Sequence, residues 1–119
     1  MLFGLFYRPP DSRPDVWDHI NYSIELALNT GIEKIVITGD FNENLLMVNQ
    51  HKLKNIILQN GLHQALSEPT FYCETSSSLL DPIIVNYKDL LVFHEVDENI
   101  LEANTRYHCP VSGVLNFQK

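Results

Sequence analysis

Basic side chains are scarce in this sequence: eight lysines and arginines stand against fifteen acidic residues, for a net charge of -7. A free-standing nucleic-acid binder normally shows a basic face, so this balance argues against one. It does not exclude a metal-dependent site, which is itself acidic. Cysteine is nearly absent. Cys73 and Cys109 are too few for a disulfide framework or a zinc cluster, and they read as free thiols in a reducing compartment. No apolar run approaches the roughly 18 residues of a membrane helix. The apolar start, Met1–Phe6, is short and has no basic leader, so no signal peptide is expected. No Walker-type glycine loop, internal repeat, heptad or low-complexity tract is present. The expectation is a soluble intracellular protein, nuclear or cytoplasmic, without a membrane partner.

What remains is an ordinary globular composition. The chain has 119 residues, 45% of them hydrophobic, which suits one folded domain. A domain this size buries roughly two-thirds of its unfolded surface. Leu2–Tyr7 reads as a strand, stopped by Arg8-Pro9-Pro10 because proline cannot continue a ladder. Trp17, Ile20, Ile24, Ala27 and Leu28 recur at helical spacing and predict a helix closed at Gly31. Lys34–Thr38 is a second strand, and Leu53, Ile56, Ile57 and Gly61 outline a second helix. Leu62–Leu66 is a short strand or turn, and Glu74–Ser78 reads as an exposed polar loop. Strands follow over Pro82–Asn86, Leu90–Val96 and Val111–Phe117, with a polar loop over positions 97–106.

This order predicts an α/β fold: one mixed sheet with two main helices on one face. Strands such as Ile35-Val36-Ile37 and Ile83-Ile84-Val85 are apolar on both faces. The face without helices should therefore be a large apolar patch, which usually means a missing partner.

The candidate chemistry sits at strand ends. Gly39-Asp40-Phe41-Asn42 follows the run Ile35–Thr38. Gly39 lets the chain turn at once, Phe41 can anchor the turn from below, and Asp40 and Asn42 flank it. Tyr7 ends the first strand, Asp81 precedes the Pro82 strand and His108 precedes the last. Brought to one rim, such a set suits phosphoester hydrolysis. A carboxylate orients or deprotonates water, an amide and a phenol hold phosphate oxygens, and a histidine supports developing charge. A second carboxylate fixes that histidine's tautomer. Read singly, Asp40 and Asp81 are turn acids and Tyr7 a strand-end aromatic. His63 and His94 read as packed or solvated strand residues, and His19 and His51 as helix-surface residues. Trp17 reads as a core anchor, and Glu95, Asp97, Glu98 and Glu102 as a solvated acidic stretch.

Five motifs in order carry a resemblance: Tyr7-Arg8-Pro9-Pro10 with Trp17, Ile37–Asn42, Glu68-Pro69-Thr70, Ser78-Leu79-Leu80-Asp81 and His108-Cys109-Pro110-Val111. Together they resemble the endonuclease/exonuclease/phosphatase superfamily, most closely the endonuclease domain of non-LTR retrotransposons. The resemblance implies a four-layer α/β/β/α sandwich, of which positions 1–119 are the C-terminal half. It implies metal-dependent hydrolysis of DNA phosphodiesters with Mg2+ or Mn2+. Asp40 would activate water, Asn42 and Tyr7 would hold the phosphate, Asp81 would orient His108, and His108 would stabilise the transition state. Arg8, Thr70 and Ser78 would contact substrate, and Asp40 is a possible metal ligand. The facing sheet would come from the absent N-terminal half or from a second chain.

Two departures temper that expectation. The family's asparagine and metal-binding glutamate lie upstream of the Tyr-Arg-Pro-Pro segment, and nothing before Met1 is present to hold them. The acid that usually precedes the last histidine is here Tyr107, a phenol that stays neutral. Little or no activity is therefore expected of these residues alone. The alternative is a non-catalytic remnant or interaction module that keeps the half-fold.

Overall fold

The structure is a computed structural model in which residues 1–98 and 106–116 are described. The chain runs β1 (Leu2–Tyr7), α1 (Val16–Leu28), β2 (Ile35–Asp40), α2 (Lys52–Gln59), β3 (His63–Gln64), β4 (Phe71–Tyr72), β5 (Ser77–Ser78) and β6 (Ile83–Val85). A 3-10 turn, Lys88–Leu90, leads into β7 (Leu91–Val96), followed by β8 (Tyr107–His108) and β9 (Val111–Leu115). The main sheet is mixed, in the order β1-β2-β6-β3, with β1 parallel to β2 and the other pairs antiparallel. This is the α/β arrangement that the strand and helix periodicities predict.

Alternation along β2 and β6 decides which layer each residue joins. Ile35, Ile37 and Ile84 point to the face covered by α1 and α2. There they pack with Trp17, Ile20 and Ile24 of α1 and with Leu53, Ile56 and Ile57 of α2. Each fully buried aliphatic side chain of this layer contributes about 1.5–3 kcal/mol. Val36, Ile83 and Val85 point the other way, into a second cluster with Leu66, Leu79 and Leu90.

The expected bare face is only partly bare. The strands over 90–96 and 111–117 do not extend the main sheet. β7 and β9 pair with each other, and Leu91, Val96, Val111 and Leu115 pack onto the second cluster. The reason is physical: a sheet apolar on both faces gains more by covering its second face than by widening. The cover stops short of β1, where Phe3, Leu5 and Tyr7 are exposed in alternation with half-buried Leu2, Gly4 and Phe6. The expected Glu74–Ser78 loop contains strand β5, which joins β4 and β8 in a separate small sheet. Within the predicted loop at 97–106 and the strand ending at Phe117, positions 99–105, Glu102 among them, and Phe117 lie outside the described residues.

Candidate active site

The site is built at the C-terminal end of β2. Gly39 has φ +139°, and a Cβ there would collide with the carbonyl oxygen of Phe6 on the neighbouring strand. Only glycine lets β1 and β2 close here and still turn. Register then sets Asp40 opposite Tyr7, and the Arg8 N–H donates to the Asp40 carbonyl at 2.8 Å. Phe41 turns inward, is fully buried and stacks on Phe6 with ring centroids 5.7 Å apart. Asn42 adopts a left-handed φ of 49°, which asparagine tolerates better than most residues. Its N–H donates to Asp40 Oδ1 at 3.0 Å, and its Nδ2 donates to the Arg8 carbonyl at 2.7 Å. In return the Arg8 guanidinium donates to the carbonyls of Phe41 and Asn42, both at 3.2 Å, and lies over the Trp17 ring. Arg8 and Asn42 therefore hold Asp40 in place by reciprocal bonds.

The small β5-β4-β8 sheet delivers the other half. Phe71 pairs with His108 across β4 and β8, and the two rings lie 4.7 Å apart. His108 Nδ1 is 2.8 Å from Asp81 Oδ2, and His108 Nε2 is 3.5 Å from Asp40 Oδ2. An ionised Asp81 can only accept, so the Nδ1 proton of His108 points at it. The histidine is the accessible member, with 45% of its side chain exposed against 20% for Asp40 and 16% for Asp81. Anything approaching the cluster therefore meets the imidazole first.

The structure brings together Asp40, Asp81 and His108, with Asn42 and Tyr7 beside Asp40. Thr70 takes a different place from the one expected of a substrate contact. It is fully buried, and its hydroxyl donates to Asp81 Oδ2 at 2.7 Å while accepting the N–H groups of Leu80 (3.0 Å) and Asp81 (3.1 Å). It fixes the Asp81 carboxylate from behind. Ser78 lies on β5 opposite Phe71, and its carbonyl accepts the Thr70 N–H. Tyr107 faces away from His108 along β8 and stacks on Tyr72, with centroids 5.4 Å apart. His19, His51, His63 and His94 stay outside the cluster, and Cys73 and Cys109 are free thiols.

Two contributors escaped the sequence reading. Buried Glu43 accepts the Leu53 N–H at 2.7 Å and so caps α2, whose own N-cap residue, His51, makes no side-chain cap. Buried Asn44 accepts the N–H groups of Leu46 and Leu79 through Oδ1. It ties the turn after Asp40 to the segment that carries Asp81. Both look like a polar break in sequence, because their partners are distant along the chain.

Burial raises the pKa of Asp40 above its ordinary value of 3.8, and the nearby Asp81 charge adds to this. The Asn42 N–H, His108 and Arg8 pull the other way without cancelling it. A folded-state pKa above the unfolded one favours the fold at pH below the unfolded value, and that contribution is lost as pH rises through the folded value. Asp40→Asn should therefore be more stable than the parent chain at neutral pH, with the gap closing in acid near about pH 3. Urea denaturation at the two pH values checks this, and a variant destabilised at neutral pH would contradict it.

One oxygen from each carboxylate and one imidazole nitrogen lie within 4.8 Å of one another, so Asp40, Asp81 and His108 could together hold a metal ion. Two carboxylates suit Mg2+ or Mn2+, and the imidazole suits the latter better. A proton on His108 Nε2 and a cation between Nε2 and Asp40 would exclude each other.

The fold is that of the endonuclease/exonuclease/phosphatase proteins. In particular, the chain is similar to the endonuclease domain of TRAS1, a telomere-specific non-LTR retrotransposon. The two are 22% identical with a TM-score of 0.73, over 97% of this chain and 56% of that one. It is also similar to an endonuclease/exonuclease/phosphatase family protein from Leptotrichia buccalis. There the identity is 16% and the TM-score 0.56, over 82% of this chain and 43% of the other. The chain thus spans about half the length of these two structures. No protein-family model and no curated protein matches the sequence.

Proposed function

We propose that these residues carry the acid-base rim of a nucleic-acid phosphodiesterase, an endonuclease-like domain that hydrolyses DNA phosphodiesters. The observation that carries this reading is the convergence of Asp40 and Asp81 on one accessible histidine, at 3.5 and 2.8 Å. Asp40, its pKa raised by burial, orients and deprotonates the attacking water. Asp81, held by Thr70, accepts the Nδ1–H of His108 and aims the Nε2–H of the doubly protonated ring at the reacting phosphate. There His108 stabilises the charge that develops on the phosphoryl oxygens. Tyr7 and Asn42 hold the phosphate from beside Asp40, and Arg8 and Ser78 flank it.

When bound, Mg2+ or Mn2+ would neutralise phosphate charge, and the Asp40 and Asp81 carboxylates are the described groups that would hold it while His108 Nε2 keeps its proton. A further segment, from the same protein or a second chain, covers exposed Phe3 and Leu5 and leaves Tyr7 open to the phosphate. Without it, residues 1–119 give only weak cleavage.

Nicking of supercoiled plasmid in Mg2+ or Mn2+ tests the reading against Asp40→Ala and His108→Ala. Slow, metal-dependent nicking that disappears in both variants is expected. Nicking indifferent to both would assign it elsewhere and leave the chain a non-catalytic module.

A further inference from the structure

We infer that the turn Leu46-Met47-Val48 is an apolar wedge that enters duplex DNA beside the Asp40 rim; this rests on the phosphodiesterase reading above. Three consecutive apolar side chains are exposed here, Val48 to 92%. Their exposure is built in. Asn44 accepts the N–H groups of Leu46 and Met47, through Oδ1 and its carbonyl respectively. Gln50 Oε1 accepts the Asn44 N–H at 2.7 Å, and Lys54 Nζ donates to the Met47 carbonyl at 2.8 Å. A turn tied at four points holds its apolar tip in water, and contiguous exposed apolar side chains mark a contact surface.

Charge selects the partner. The chain carries fifteen acidic residues, yet none lies between positions 44 and 67, while Lys52 and Lys54 stand at the start of α2 directly after the turn. An apolar tip backed by lysines matches a base step flanked by phosphates. Side chains such as leucine and methionine unstack base steps, while lysines neutralise the backbone. Position favours nucleic acid over a lipid surface. Leu45 donates its N–H to the Leu79 carbonyl, two residues before Asp81. Val48 is six residues from Asn42, so at most about 20 Å separates them, within the span of a bound duplex.

The test uses a duplex carrying 2-aminopurine, without metal so that no cleavage occurs. The parent chain should raise its fluorescence by unstacking. The triple variant Leu46→Ser/Met47→Ser/Val48→Ser should bind about tenfold more weakly and lose the rise. Val48→Leu should keep both, and Lys52→Gln should weaken binding and lower the salt slope by about one. A triple variant equal to the parent chain overturns the wedge, as does a parent chain that binds no duplex. Unchanged duplex binding with lost sedimentation on phosphatidylserine vesicles overturns it in favour of a lipid surface. These outcomes are separate from plasmid nicking, where indifference to Asp40→Ala and His108→Ala would sink the underlying reading whichever way the fluorescence falls.

Discussion

Gly39→Ala is expected to cost more than about 4 kcal/mol, a large part of the stability of a domain this size. Two effects combine. The backbone sits at φ +139°, where an L side chain is strained by about 1–3 kcal/mol. The new Cβ would also collide with the Phe6 carbonyl, which belongs to the adjoining strand and cannot rotate away as a flexible side chain would. Either β1 and β2 separate, breaking the register that sets Tyr7 against Asp40, or the turn is rebuilt. Urea denaturation followed by circular dichroism measures the loss. A midpoint close to that of the parent chain would show that the strand end is far more plastic than this packing implies.

Thr70→Val is the second large effect, and it separates positioning from binding. Valine nearly matches threonine in shape but leaves the Leu80 and Asp81 N–H groups without their acceptor and Asp81 Oδ2 with only His108 as donor. Orphaning buried partners costs about 1–3 kcal/mol each, so a loss of about 2–4 kcal/mol is expected after partial relaxation. The catalytic consequence is distinct: His108 loses its fixed orientation, so nicking should fall while duplex affinity stays unchanged. Thr70→Ser keeps the hydroxyl and should recover most of both losses. A Thr70→Val variant that weakens DNA binding and leaves the cleavage step intact would return Thr70 to the role of a substrate contact.

Much of this molecule is legible in its sequence because local rules and tertiary demands agree. The spacing of Trp17, Ile20 and Ile24 marks α1, and all three residues are buried against the sheet. The run Ile35–Thr38 followed by Gly39-Asp40 marks a strand that ends in a turn, and β2 does so. The motifs also pick out the residues that the rim brings together, although these lie at positions 7, 40, 42, 81 and 108.

What escapes is long-range partnership. Nothing local shows that β7 and β9 would fold back over Val36, Ile83 and Val85, because alternation fixes a strand's faces and not its neighbour. Glu43 as the cap of α2 is invisible for the same reason, since it lies ten positions before the N–H it accepts. Thr70 falls inside a motif that suggests substrate contact, and only its complete burial assigns it to Asp81 instead.

Asp40 and His108, with Asp81 behind, are proposed to act as one catalytic unit on a phosphodiester. The most direct measurement is a double-mutant cycle on metal-dependent plasmid nicking, using Asp40→Ala, His108→Ala and the two combined. Groups that act together are strongly non-additive, so each single variant should fall about a hundredfold or more and the double variant little further. Losses that multiply, or nicking that survives both substitutions, would contradict the account.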